Sequence, residues 1–284
     1  MMTQDKHIAV LANPLAGDGR AMEYLGSIER YLMTGSIPHR TYTLHWPDDF
    51  TGFTDIWLIG GDGTLNFFVN RYTELSLPIT FFDGGTGNDF HAALYGKRSL
   101  AAIMEAGLNA IPRPVDAGRC NGRYFMNGIG VGFDGNVAAR MSRLKRKKGI
   151  TGYWMTVVRN IFFYREQTCR IICSEFSDEG RLLMVNAMNG QRSGGGFNVT
   201  PDAVLDDGLF NVLVIPRLPI WMRLRYLPVI EKGRHTKLPF LRYFKTDRIR
   251  FVCDEPMDAH LDGEYLSGRE FEIAVVKGKF LFRY

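Results

Sequence analysis

Two stretches of the chain share one construction. WLIGGDGTLN (57–66) and FFDGGTGNDF (81–90) each run from apolar residues into a glycine-rich turn carrying a threonine, then into a polar residue at the head of an apolar segment. A strand that feeds such a turn and then a helix leaves unpaired backbone N–H groups at the positive end of the helix, a general solution for holding phosphate. Glycine permits positive φ and lets the anion come close to the backbone. The first turn is not a Walker A loop, because no GK[ST] follows, nor a dinucleotide fingerprint, because Asn66 stands where the third glycine should be. Asp62 adds a constraint: a carboxylate among phosphates calls for a cation between them, which points to Mg²⁺ held through water. Asn88 and Asp89 can also be read as caps of the helix that follows. Two such turns at successive strand ends of one parallel sheet favour a ligand crevice outside the carboxyl ends of the strands. The residues singled out are Gly61, Asp62, Gly63 and Thr64 in the first turn, and Gly85, Thr86 and Asn88 in the second.

The surrounding pattern sets the fold class. HIAVLAN (7–13), RTYTLHW (40–46), DIWLIG (55–60) and LPITFFDG (77–84) read as strands, with helices from about Asp18 to Met33 and from about Thr64. Strands separated by roughly 10 to 15 residues of helical pattern imply crossovers and a parallel, helix-covered sheet. After about Asp116 the chain turns to short strand-like runs with glycine joints, the signature of an antiparallel sandwich. Helical inserts interrupt it at about 136–164 and 219–233. With 284 residues the chain exceeds the usual size of a single core. The reading is an α/β domain over 1–115 and an all-β, sandwich domain over 116–284.

Cys120, Cys169, Cys173 and Cys253 lack paired CxxC spacing, so the sequence suggests reduced structural thiols and no zinc site. The six histidines form no HExxH pattern and no serine lies in a GxSxG elbow, which argues against zinc and hydrolase chemistry. The N-terminus shows no signal-peptide pattern, and no apolar run reaches the roughly 18 residues of a membrane span, so a cytoplasmic protein is expected.

The motifs in order are NPLAGDGRA (13–21), GGDGTLN, GGTGNDF, NGIGVGFDGNV (127–137), GGG (194–196) with PDAVLDDGLFNV (201–212), and LDGE (261–264). Together they resemble the diacylglycerol kinase catalytic family, which includes bacterial lipid kinases and sphingosine kinases and is related to NAD kinases. The resemblance spans nearly the whole chain. It implies an NAD-kinase-like N-terminal domain, a C-terminal β-sandwich, and ATP bound in the cleft between them. It also implies that Gly61, Asp62, Gly63, Thr64 and Asn13 face the nucleotide, and that Asp62, Asp89 and Asp116 hold catalytic Mg²⁺ through water. Asp262 of LDGE would orient or deprotonate the lipid hydroxyl, with Glu264 helping to bind Mg²⁺. The same four residues also read as an Asp-Gly hairpin turn. By the same resemblance a structural Mg²⁺ would be held by the Val204 and Leu209 carbonyls and Asp207. The chain departs from the family in having Asp18 after Gly17, where many members have Lys and where the nearest cation is Arg20. It also departs around the second turn, with Asp83-Gly84 before it and His91 after Phe90.

Charge distribution suggests where the membrane comes in. Six Lys or Arg lie between Arg140 and Lys148, and ten lie between Arg217 and Arg250, beside aromatic residues. Such blocks attract anionic lipid at about 1 kcal/mol per near-surface cation. The apolar residues of both inserts are assigned to the sandwich core, leaving the basic faces for peripheral contact with the inner face of the membrane. No helix-turn-helix, RRM, KH or zinc-finger pattern supports nucleic-acid binding. The reading is therefore an ATP- and Mg²⁺-dependent lipid kinase acting on a diacylglycerol, sphingoid-base or phosphatidylglycerol hydroxyl, with an NAD kinase or a non-catalytic binding protein as alternatives. A homodimer is compatible with the sequence but not specified by it.

Overall fold

The computed structural model describes residues 6–143, 149–174 and 176–284. Two compact units emerge, one of Met1–Val115 with Lys277–Tyr284, the other of Asp116–Val276.

In the first unit the strands are β1 (Ile8–Ala12), β2 (His39–Tyr42), β3 (Asp55–Gly60) and β4 (Ile79–Asp83), and the helices α1 (Arg20–Thr34), α2 (Asp62–Arg71), α3 (Asp89–Tyr95) and α4 (Leu100–Asn109). The strands run parallel in the order β2-β1-β3-β4. Every residue of β1 and β3 is buried, as expected for strands covered on both faces. Helix α1 buries Ala21, Leu25, Ile28 and Leu32, spaced to form one stripe of a 3.6-residue period. The pattern from 40 to 46 yields only the short β2, which ends at Tyr42.

The C-terminal residues complete this unit, although their strand-like pattern groups them with the second domain. Phe282 pairs with Ile79 in parallel, and Phe280 and Phe282 are buried. The Arg283 guanidinium donates to Asp55 at 2.6 Å and to the Ala110 carbonyl, and Lys6 pairs with the same carboxylate at 3.1 Å. Asp55 is buried, so these two cations offset the desolvation of its charge.

The second unit contains β5 (Arg113–Cys120, from Asp116 onward), β6 (Arg123–Phe125), β7 (Gly128–Gly132), α5 (Phe133–Arg143), α6 (Gly149–Phe163), β8 (Gln167–Cys173), β9 (Ser177–Met188), β10 (Phe210–Pro216), α7 (Ile220–Glu231), β11 (Arg242–Thr246), β12 (Arg248–Leu261) and β13 (Glu264–Phe282, to Val276). Strands β11, β10, β9, β7, β12 and β13 pair antiparallel in that order. Both β7 and β8 bridge β9 and β12, which share their long strands between two partners and curl the sheet around a core. Phe125, Phe210, Phe251 and Phe271 fill that core. A second cluster joins Val157 and Ile161 of α6 to Leu213 and Ile215 of β10.

Two sequence expectations change here. Cys169 and Cys253 form a disulfide, because the β8–β12 register sets them directly opposite each other. Their 84-residue separation conceals this from any local spacing rule. Helices α6 and α7 also do not turn all their apolar residues inward, since Trp154, Met155, Val158, Phe162, Phe163, Ile220, Trp221 and Leu224 are exposed. Of the basic block after Arg140, Lys145, Arg146, Lys147 and Lys148 lie outside the described residues.

Candidate functional site

In the first unit, the turns after β1, β3 and β4 lie at the carboxyl ends of neighbouring parallel strands. They pack backbone against backbone. A Cβ on Gly85 would stand 2.3 Å from the Gly61 Cα, and one on Gly17, where φ is +59°, would stand 2.3 Å from the Gly84 carbonyl oxygen. No side chain can enter at those separations, so glycine is required there. The bare backbone of GGDGT therefore serves the meeting of turns as well as any anion.

Side chains fasten the same arrangement. Asn13 Nδ2 donates to Thr64 Oγ1 at 2.9 Å, while Asn13 Oδ1 accepts from the Leu15 amide at 3.0 Å. Asp62 accepts from the Asp89 amide at 3.0 Å and the Phe90 amide at 3.2 Å. The first-turn amides of α3 are thus capped by a residue 27 positions upstream. Asn88, read from sequence as a cap, instead closes its own turn by exchanging hydrogen bonds with Gly85 at 3.2 and 3.0 Å. Thr86 is exposed, and Asp89 is buried at the head of α3.

A cavity of about 240 Å³ adjoins this assembly, lined by Asn13, Gly63 and Thr64 at one end and by Leu44, Trp46, Phe67 and Arg71 at the other. The second group is absent from the sequence reading. Its only signal is that RTYTLHW carries more aromatic and apolar residues than the four-residue β2 can use. Below the turn, His91 Nε2 lies 3.9 Å from Asp83 Oδ1, so the two departures from the family pattern meet. Burial pulls the His91 pKa below its usual value, against the opposing pull of Asp83.

The second unit contributes Asp116, Asp262 and Glu264. Asp116 on β5 is 1% exposed. Its carboxylate accepts from the Gly208 amide at 2.6 Å, and its amide donates to the Leu205 carbonyl at 2.8 Å. Asn189, which belongs to no sequence motif, donates to the carbonyls of Asp116 at 2.8 Å and Met126 at 3.1 Å.

LDGE forms the hairpin between β12 and β13, with Leu261 opposite Glu264 and positive φ at Asp262 (+50°) and Gly263 (+88°). Its carboxylate does more than shape a turn. Asp262 accepts from the amides of Met126 and Asn127 at 2.8 Å each and of Gly128 at 3.0 Å. NGIG and LDGE, 135 residues apart, are therefore one structure. Glu264 is exposed.

The donor chemistry of these carboxylates differs from place to place. Among the described residues, no three His, Cys, Asp or Glu side chains lie close enough together to hold a metal directly. Asp62 and Asp89 stand at the heads of α2 and α3, and two carboxylates on neighbouring turns are the hard oxygen donors that suit a hydrated cation. Asp207 is different. Lys245 Nζ stands 2.7 Å from its Oδ2, and its Oδ1 accepts from the Leu209 amide at 3.0 Å. The positive charge at the loop of Val204, Asp207 and Leu209 is an ammonium, and Mg²⁺ there would have to displace it.

Comparison with known proteins covers the whole chain. Residues 7–120 match the diacylglycerol kinase catalytic domain, and residues 127–279 match the YegS C-terminal NAD kinase beta sandwich-like domain. A diacylglycerol kinase of Bacillus subtilis (strain 168) is 30% identical over 276 residues, 92% of this chain and 90% of its own length. A Pseudomonas aeruginosa (strain UCBPP-PA14) protein named "Probable lipid kinase YegS-like" is 32% identical over 232 residues, 80% of this chain and 75% of its own. The crystal structure of a diacylglycerol kinase from Bacillus anthracis str. Sterne shares the fold, with a TM-score of 0.73 at 20% identity, covering 100% of this chain and 98% of that one. The chain thus has an NAD-kinase-like α/β domain followed by a β-sandwich-like domain, and it belongs to the diacylglycerol kinase catalytic family, as an enzyme of the lipid kinase type.

Proposed function

We propose that this enzyme transfers the γ-phosphate of ATP to a hydroxyl of a membrane lipid, of the diacylglycerol, sphingoid-base or phosphatidylglycerol kind, and requires Mg²⁺. The observation that carries the reading is the convergence of three glycine turns beside a cavity, with Asp62 between the last two.

The amides at the head of α2, ahead of the Thr64 and Leu65 amides that donate to the Gly61 carbonyl at 2.9 and 3.1 Å, sit at the positive end of the helix, where the nucleotide phosphates gain most. Asn13 and Thr64, bonded to each other at the mouth of the cavity, present polar groups beside those amides. Asp62, Asp89, Asp116 and Glu264 would hold Mg²⁺ largely through its water shell, and the ion would neutralise charge on the transferring phosphoryl group. Asp262, aimed by three amides, accepts from the lipid hydroxyl and takes its proton as the new P–O bond forms. Phosphoryl transfer asks mostly for positioning and charge neutralisation, and one fixed carboxylate at the attacking oxygen meets the rest. A lipid acceptor places the work at the membrane surface; no helix among the described residues is long and apolar enough to cross the bilayer.

Incubation with labelled ATP and Mg²⁺, in parallel with a total lipid extract and with NAD, tests the reading. A labelled lipid product with no labelled NADP is expected. Label in NADP alone, or in neither product, would overturn it.

A further inference from the structure

Helix α6 is amphipathic in the wrong sense for a helix that merely closes a core. Thr156 and Asn160 are buried together with Val157 and Ile161, while Trp154, Val158 and Phe162, spaced at i, i+4 and i+8, face outward with Met155 and Phe163. Phe163 is 70% exposed. Helix α7 sets Met222, Leu227 and Ile230 only partly against the second core, and Trp221 is 66% exposed, with Ile220 and Leu224 beside it. The two helices are fastened together: the buried Arg223 of α7 pairs with Glu166 and donates to the Ile161 and Tyr164 carbonyls at 3.0 and 3.1 Å, capping the end of α6. An apolar exposure of this extent, held rigidly, marks an interaction surface. The exposed charges beside it, Arg159, Arg165, Arg217 and Arg225, are positive, against one exposed acid of the two helices among the described residues, Glu231 at the far end of α7, and that excess selects an anionic bilayer surface as the partner.

Where α6 ends, this surface meets a cavity of about 260 Å³ lined by Phe163, Tyr164, Arg165, Asn136, Arg140 and Asp258 among others. Both Asp258 oxygens are already engaged, by Asn136 Nδ2 at 2.6 Å and by the Tyr265 hydroxyl at 2.9 Å. Arg140 Nε donates to Asn136 Oδ1 at 2.9 Å, which directs the guanidinium, and among the described residues neither it nor Arg165 has an ion-pair partner. Burial raises the Tyr164 phenol, reinforced by Asp258, so its hydroxyl remains a donor. Two guanidinium groups against one satisfied carboxylate, with a phenolic donor and an aromatic ring at the rim, suit a phosphodiester attached to acyl chains.

We propose that the exposed side of α6 and α7 enters the bilayer and that the cavity at the end of α6 receives the phosphodiester head of a membrane phospholipid. The inference rests on the lipid kinase reading only for its choice of a bilayer as the occupant. It reverses the sequence expectation, in which basic faces alone meet the membrane.

Vesicle flotation of the full-length protein without nucleotide separates the parts. The vesicles are phosphatidylcholine alone, or phosphatidylcholine with a minor share of phosphatidylglycerol, and folding of each variant is checked by circular dichroism. Replacing Phe163 and Trp221 together by Ala is expected to weaken binding to both kinds of vesicle by about tenfold or more. Arg140→Gln with Arg165→Gln should weaken binding to both kinds of vesicle roughly tenfold, because phosphatidylcholine carries the same phosphodiester. Arg217→Gln with Arg225→Gln removes two exposed cations, one before α7 and one on it, that do not line the cavity, and should cost less. Wild-type affinity of the Phe163/Trp221 variant for neutral vesicles would refute insertion. Equal losses from the two arginine pairs would reduce the cavity to diffuse surface charge and overturn the headgroup site. Phosphorylation of a short-chain acceptor free in solution is expected to persist in all three variants, so failure of the docking surface and failure of the kinase reading are told apart.

Discussion

The proposed donor end, in the first unit, and the hairpin of Asp262, in the second, are both built from Asp-Gly turns, yet they are specified in different ways. At the donor end three turns press together until only glycine fits, and the chemistry lies in the backbone. At the hairpin the glycine has room to spare, with nothing within 4 Å of a Cβ built on Gly263, and the chemistry lies in one carboxylate that three amides of a remote segment hold in place. A close-packed glycine turn announces itself in ten residues, whereas a carboxylate placed by strand pairing does not.

The sharpest way to break this contrast is to add a methyl group to each turn. Gly85→Ala brings a carbon to 2.3 Å from the Gly61 Cα, and overpacking against backbone costs about 3 kcal/mol or more. Gly263→Ala meets no atom and carries only the strain of φ +88°, about 1 kcal/mol. Denaturant unfolding of the two variants should rank them in that order, and similar losses would dissolve the distinction.

The C-terminal residues give the next effect in size. Arg283→Ala leaves the buried Asp55 with Lys6 and the Thr54 hydroxyl, and breaking such a cluster costs about 3 kcal/mol. A loss below about 1 kcal/mol in chemical denaturation would mean that the return of the chain to the first unit rests on Phe280 and Phe282 instead.

Lys245 offers a smaller effect. The pair with Asp207 is partly exposed, so Lys245→Ala should cost under about 1 kcal/mol. The variant is expected to melt higher when Mg²⁺ is added, while the wild type is indifferent to chelator at this loop. A chelator-sensitive melting temperature in a variant lacking Asp62 and Asp89 carboxylates but keeping Lys245 would contradict that.

Acid provides the mildest probe, and both units contribute. Burial lowers the pKa of His91 in the first unit and of His235 in the second, the latter against hydrogen bonds to backbone carbonyls. The unfolded chain then binds these protons more readily than the native state does. Their contribution is complete above the unfolded value of 6.5 and is lost as the pH falls through and below it. His91→Gln and His235→Gln should each flatten the fall in stability between neutral and mildly acid pH, and an unchanged slope would remove the histidines as its cause.

How much of this can be read from sequence follows the same division. The parallel strands of the first unit, the turns at 60–64 and 84–88 and the stripe of α1 are all legible, because each is set by neighbours within a few residues. The cap of α3 is not, since Asp62 reaches it across 27 positions. Asn88 bears the local capping signal, but its side chain is spent on Gly85. In the second unit the Asp-Gly hairpin is legible and its grip on residues 126–128 is not. The Cys169–Cys253 bond and the β7 and β8 bridges between β9 and β12 are likewise matters of register. The outward apolar face of α6 defeats pattern reading for another reason: period 3.6 shows that a helix has an apolar side but not whether protein or lipid covers it.

Asp262→Asn tests the proposed division between donor and acceptor most directly. The substitution keeps the shape of the side chain and most of the amide contacts. Folding, and nucleotide affinity measured by titration calorimetry, should match the wild type. Phosphorylation of lipid by labelled ATP should fall by about 10²- to 10⁴-fold, the range for loss of a positioned base. Turnover within a factor of two or so of wild type, with the amide contacts intact, would leave the carboxylate as a brace for the hairpin and contradict its role at the acceptor hydroxyl.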